Sequence, residues 1–182
     1  MQRRFFLLCA LVSFALHLLP EALSEAASGE VGRVGCSHCR NDGSEISQLL
    51  QRADALFASF KSAEALKALL RVLQLEPQNH EALSKIARVY IDFGDMIPET
   101  EFNWQEKRLN QYHIAEDYAR KAVKADPNGT WGHFYVATSL GKIAVLSPVR
   151  KRIDLAEEIR VEVEKAIALD PQNGFAYHVY GV

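Results

Sequence analysis

LEPQNHEAL, residues 75–83, decides the fold, because its punctuation returns as ADPNGTWGHF at 125–134 and as LDPQNGFAYHVYGV at 169–182. A Pro directly after an apolar, helical stretch marks the end of one helix, and the residues behind it read as the first turns of another. Upstream, EISQLLQRADALFASF (45–60) places Ile46, Leu49, Leu50, Ala53, Leu56 and Phe57 on one helical face. SAEALKALLRVLQLEP (62–77) does the same with Ala65, Leu66, Leu69, Val72 and Leu73. These two stretches make a helical hairpin closed by Pro77.

The prolines also serve as a ruler for internal repetition. With Pro77 as the thirty-second residue of a unit beginning at Ile46, Ala53 falls eighth, Leu56 eleventh and Ala65 twentieth. Small residues at the eighth and twentieth positions let two helices approach closely. In this the stretch resembles the tetratricopeptide repeat, a helix–turn–helix of 34 residues. A second unit begins at His80, with Leu83, Ile86, Ala87 and Tyr90 in its first helix and Ala115, Ala119, Ala122 and Pro127 in its second. Pro77 and Pro127 lie 50 residues apart, so this unit carries an insertion, placed at FGDMIPETEFNWQEKRLNQ (93–111). A third starts near Thr130 with Phe134, Val136, Ala137 and Leu140, and closes with Val163, Ala166 and Pro171 after 44 residues. Its insertion lies around VLSPVRKRID (145–154), where Ser147 before Pro148 is a good helix start. The expected architecture is an all-α, tetratricopeptide-type α-solenoid of helical hairpins with two insertions. The repeat domain spans 44–182, in units of about 46–79, 80–129 and 130–173 with a partial unit at 174–182.

EALSKIARVYIDFGD, AEDYARKAVKADPNGTWGHFYVATSLG and RIDLAEEIRVEVEKAIALDPQNGFAYHVYG, taken with the insertions, are similar to the regulator of microtubule dynamics family of repeat proteins. The resemblance covers about residues 46–182 and implies the repeat fold. The amino terminus departs from the eukaryotic members. MQRRFFLLCALVSFALHLLP sets two arginines before an apolar run, and small residues follow, which suits a secretory signal peptide over 1–24 cleaved after Ser24. The alternative is an uncleaved membrane anchor, for which the run is short. An exported protein does not meet tubulin, so the microtubule role is not carried over. The expected location is periplasmic or extracellular.

With 48% hydrophobic and 24% charged residues, the 182-residue chain has the composition of one folded domain. Loss of Arg3, Arg4 and Glu21 with the signal moves the formal charge from −2 to −3. That balance argues against nucleic-acid binding, which needs clustered Lys and Arg. Cys9 goes with the signal, leaving Cys36 and Cys39 as a C-x-x-C in a linker over 25–43. After export a local disulfide is expected, with two free thiols as the alternative. Arg40 rather than His follows the second Cys, which argues against haem attachment, and a zinc shell would need further ligands.

No catalytic constellation emerges. Ser139 and Lys142 in SLGK have the spacing of a Ser–Lys nucleophile pair, but neither S-D-N nor K-T-G accompanies them. His80, His113, His133 and His178 are dispersed and read as packed or solvated helical residues. RKR at 150–152 reads as a solvated first turn, and Glu157 and Glu158 as surface. No metal or cofactor is expected. Binding is the stronger expectation, since stacked hairpins present a concave groove lined by the first helix of each unit. The resemblance to the tetratricopeptide repeat implies that the inward residues are Leu50, Asp54 and Phe57; Glu81, Ser84, Arg88 and Asp92; Trp131, Phe134, Thr138 and Lys142; and Phe175 and His178. Arg88, Trp131, Phe134, Lys142 and His178 are the expected contacts for a peptide segment. Leu50 and Asp54 stand where repeat domains that clamp chaperone carboxylate tails carry Lys and Asn. The function expected is a non-catalytic protein-interaction or assembly module. The alternatives are a membrane-tethered scaffold and an enzyme with a groove site. Residues 174–182 hold about half of a first helix, so the array is expected to be incomplete there, with that stretch fraying or self-associating.

Overall fold

The computed structural model describes the backbone of residues 37–181 and side chains from residue 43 onward. Seven helices follow in order: α1 (Ser37–Ala58), α2 (Ser62–Leu75), α3 (His80–Met96), α4 (Trp104–Ala125), α5 (Thr130–Val145), α6 (Val149–Leu169) and α7 (Gly174–Tyr180). Each odd helix packs against the even one that follows, and α3 meets α5 and α5 meets α7 across unit boundaries. This is the stacked-hairpin arrangement of a solenoid.

The three proline turns share one geometry. Glu76, Asp126 and Asp170 each precede Pro, leave the helical region with φ near −140°, and still donate their N–H to the carbonyls of Val72, Ala122 and Ala166. Crowding by the proline ring forces that exit. Asn79 then caps α3 by accepting from the Ala82 N–H at 2.8 Å, and Asn173 caps α7 by accepting from Phe175 and Ala176. Ala53, Ala65, Ala87, Ala115, Ala137, Ala166 and Ala176 are fully buried, so the small residues lie where the helices meet.

Three apolar clusters lie along the array rather than in one central core. Leu69, Val72, Ile86 and Val89 join α2 to α3; Tyr112, Val136, Leu140 and Ile143 join α4 to α5; Phe134, Val163 and Ala176 join α5 to α6 and α7.

The structure departs from expectation in three places. First, α1 begins at Ser37, inside the stretch 25–43 expected as linker. No apolar pattern announces that start, and helix anchored at Ile46–Phe57 propagates upstream because each added residue gains a hydrogen bond without a new nucleus. Residues 1–24 and Cys36 lie outside the described residues, so the signal-peptide and disulfide readings do too. Second, the insertions are mostly helix. The second helices α4 and α6 run to 22 and 21 residues against 14 for α2. The loop at 97–103 is braced by the Arg108 guanidinium, which donates to the Ile97 carbonyl at 2.6 and 2.9 Å and lies over the Trp104 ring. Third, Ser147 does not cap α6: Pro148 holds the cap position, and the Ser147 hydroxyl donates back to the Ile143 carbonyl at 2.7 Å. Residues 174–180 form α7, the expected start of a fourth unit, held by the Asn173 cap, by Ala176 against α5 and α6, and by the Tyr180 hydroxyl donating to Glu164 at 3.0 Å.

The α1–α2 turn places a bulky residue where glycine is the usual choice. Lys61 N–H bonds the Leu56 carbonyl and Phe60 N–H the Phe57 carbonyl, which closes a Schellman motif with Phe60 in the left-handed region at φ 58°. That conformation costs a non-glycine residue about 1 kcal/mol or more, yet the Phe60 ring is 89% exposed and recovers little of it by burial.

Candidate functional site

A cleft of about 480 Å³ opens between the first helices of the first three units. Asp54 of α1, Glu81, Ser84, Lys85 and Arg88 of α3, and Trp131 and Tyr135 of α5 line it. Residues 81, 84, 85 and 88 recur at helical spacing on one face of α3, so a single helix supplies the floor.

Charge in the cleft is largely internally paired. The Lys85 ammonium lies 2.7 Å from carboxylate oxygens of both Asp54 and Glu81. Burial pulls its pKa down, but hydrogen bonds to Asp54 and Glu81 outweigh that and leave it above the ordinary lysine value. His80 stands 3.8 Å from Asp126 at the rim. The Arg88 guanidinium lies on the Phe57 ring, 4.6 Å from its centroid. Tyr135 is deeply set, and burial pushes its hydroxyl up to about 12, so it remains a donor at physiological pH.

Trp131 is 44% exposed and stacks on Tyr135, with ring centroids 5.9 Å apart. It meets Phe134 edge-on at 5.5 Å and stands 6.4 Å from Phe175. An aromatic platform therefore closes one side of the cleft, with its largest ring presented to solvent.

Of the five expected contacts, Arg88 and Trp131 line this cleft, and Phe134, Lys142 and His178 do not. Phe134 is 8% exposed because its ring fills the apolar cluster joining α5 to α6 and α7. Lys142 is drawn away by Asp95 of α3, with both carboxylate oxygens 2.7–2.8 Å from its ammonium. His178 is exposed on α7 away from the cleft. Lys85 and Tyr135 were not among the expected residues. Each is the sixth residue of its unit, three or four positions from inward-facing neighbours, and that spacing was the available signal.

The remaining motifs resolve as structure. Ser139 is buried and donates to the Tyr135 and Val136 carbonyls, while its would-be partner Lys142 is held by Asp95. His133 is 1% exposed; its Nε2 lies 2.9 Å from the Pro127 carbonyl and its Nδ1 2.6 Å from Glu162. Arg152 donates to the Ser147 and Val145 carbonyls at the end of α5. Among the described residues no group of His, Cys, Asp and Glu has the arrangement to hold a metal ion, and no helix is long and apolar enough to cross a membrane.

Comparison with known proteins agrees with the repeat pattern. Over 138 residues, 76% of this chain, the sequence is 28% identical to regulator of microtubule dynamics protein 1 of Bos taurus, of which the match covers 42%. The chain thus spans less than half the length of that relative. Two solved structures share the fold. One is a thermophilic TPR protein of Thermus thermophilus, with a TM-score of 0.60 and 18% identity over 75% of this chain and 64% of that one. The other is the first TPR domain of Spaghetti (RPAP3) bound to an HSP90 peptide, at 0.53 and 17% over 74% and 86%. The family model described as regulator of microtubule dynamics protein 1-3 matches residues 49–182. With that match over most of its length, this tetratricopeptide-like chain belongs to the regulator of microtubule dynamics protein 1-3 family.

Proposed function

We propose that the chain is a non-catalytic protein-interaction module that holds a peptide segment of its partner in the cleft between α1, α3 and α5. The observation that carries this reading is the pairing of an exposed Trp131 platform with a charged floor in one open cleft. Aromatic and Arg residues at the centre of a concave face are the types that dominate protein interfaces. The cleft's Asp54, Glu81 and Lys85 engage one another, an arrangement suited to a fixed binding surface rather than to proton transfer. The structural neighbour from Spaghetti (RPAP3) holds an HSP90 peptide on the same type of fold, which supports a peptide ligand by analogy.

The test is photo-crosslinking from benzoylphenylalanine placed at His80 or Trp131 in the cleft, against Lys67 or Lys165 on the second helices α2 and α6. Crosslinks to a partner are expected from the cleft positions. Crosslinks only from Lys67 and Lys165 overturn the reading. Trp131→Ala is expected to weaken the captured interaction by more than about 1 kcal/mol with helix content unchanged; loss of helix content would assign Trp131 to packing.

The proposal extends to location. Residues 1–24 act as the export signal, and amino-terminal sequencing of the mature protein should begin after Ser24. The relatives' names favour a second reading, a scaffold tethered by a retained amino terminus, since microtubules are reached only from the cytosolic side. Mature protein beginning at Met1 and sedimenting with membranes would select that one.

A further inference from the structure

Arg88 lines two cavities at once. Beside the cleft of Trp131 and Tyr135 lies a second, of about 300 Å³, bounded by Phe57, Phe60, Ser62, Asp92, Asp95 and Met96. Its rim is apolar and open: Phe60 stands out from its left-handed turn and Met96 is 63% exposed. Exposed large apolar side chains around a depression mark a contact surface.

Donors and acceptors along the floor are unequal. Among the described residues, the Arg88 guanidinium has the Phe57 ring as its neighbour but no hydrogen bond or ion pair. The hydroxyls of Ser84 and Tyr135, which line the first cleft with it, likewise have no acceptor. The nearby acceptors are engaged: Asp54 and Glu81 hold Lys85, Asp95 holds Lys142 and Tyr112, and Asp92 accepts from Ser62 at 3.2 Å. Asp92 lies one turn beyond Arg88 and lines the second cavity rather than the first, and the charges of both Arg88 and Asp92 reach the Tyr135 hydroxyl, so an incoming anion is favoured on the Ser84 side of Arg88, away from Asp92. The Arg88 guanidinium and the two hydroxyls that line the cleft with it are together the complement of a carboxylate. Because apolar seats flank Arg88 on both sides, that carboxylate belongs to a residue inside a chain that continues in both directions, not to a chain end.

Resting on the peptide-binding reading above, we infer that the groove selects an extended segment in which an Asp or Glu lies between two apolar residues. Its carboxylate meets Arg88, Ser84 and Tyr135, one apolar side chain lies on Trp131, and the other lies between Phe60 and Met96. Burial keeps the Tyr135 hydroxyl protonated for this role.

The experiment is selection of random dodecapeptides displayed on phage against the full 182-residue chain, followed by affinity measurements on the enriched peptides. Enrichment of an acidic residue flanked by apolar ones is expected. Replacing that Glu by Gln, or Asp by Asn, should weaken binding to the wild type about 10- to 100-fold, the range of charge-assisted hydrogen bonds. The same replacement should cost less than about threefold on Arg88→Met, which keeps the aliphatic contact with Phe57. Phe60→Gly should weaken binding about fivefold or more while raising the melting temperature by relieving the left-handed strain. Peptides that depend on Trp131 but lack an acidic residue, or lose equally on wild type and Arg88→Met, overturn the carboxylate inference and leave the groove reading intact. Affinity unchanged by Phe60→Gly overturns the second apolar seat. Enriched peptides that bind Trp131→Ala as tightly as the wild type overturn both readings.

Discussion

His133→Leu is expected to cost about 3 kcal/mol, the lower end of the range for breaking a buried pair, and to lower the melting temperature by roughly 10 °C. The imidazole is enclosed between α5, α6 and the turn before α5. A carbonyl can only accept, so Nε2 carries a hydrogen toward Pro127. On the other side Nδ1 lies 2.6 Å from a carboxylate oxygen of Glu162. Leucine fills the volume but leaves the Pro127 carbonyl and the Glu162 carboxylate without their partner. Glu162 keeps some access to water, which places the cost at the low end of that range. Glu162→Gln keeps a side-chain amide within reach of Nδ1 and should cost only about 1 kcal/mol. Thermal unfolding of His133→Leu within 2 °C of the wild type would show that the ring is filler.

Gly94→Ala is expected to destabilise by about 2 kcal/mol, against the gain of nearly 1 kcal/mol that alanine normally brings inside a helix. An added Cβ would lie 2.3 Å from Cε1 of Tyr112 and 2.9 Å from its Cζ. That ring has nowhere to swing. It is buried among Ala87, Ala119, Val136 and Leu140, and its hydroxyl donates to Asp95 at 2.7 Å. Burial, with the Asp95 carboxylate accepting its proton, holds the Tyr112 hydroxyl well above the ordinary phenol range, so the bond persists at any physiological pH. The check is a double-mutant cycle. In a Tyr112→Leu background the clash is gone and Gly94→Ala should become neutral or stabilising. A stabilising effect of Gly94→Ala in the wild type would mean that the two helices are not in such close approach.

The repeat was legible because its signals are local. Pro77, Pro127 and Pro171 each force the preceding residue out of the helix, and Ala53 and Ala65 leave room for a neighbouring backbone; neither effect needs knowledge of the partner helix. The site was legible only in part, because repeat geometry gives the direction of a residue but not what competes for it. Arg88 and Trp131 line the cleft. Phe134 and Lys142 have inward positions too, but the apolar cluster joining α5 to α6 and α7 claims the first and Asp95, 47 residues away in sequence, claims the second. The start of α1 was hidden for the opposite reason: SHCRNDGSE carries no apolar pattern, and its helicity is inherited from the packed turns that follow. The insertions showed in the spacing of the prolines, whereas their form, longer α4 and α6, depended on tertiary contacts such as Arg108 with Ile97.

The ion pairs along the groove have a mechanical consequence. Lys85 with Asp54 ties the first helix of one unit to that of the next, and Lys142 with Asp95 repeats the tie one unit further on. Both pairs are partly exposed, while the apolar clusters lie within and between the hairpins. Charge therefore links the first helices of successive units where apolar packing links the hairpins. Since salt screens partly exposed charges beyond about 10 Å at 0.1 M and leaves apolar packing in place, rising ionic strength is expected to weaken both ties without melting any hairpin.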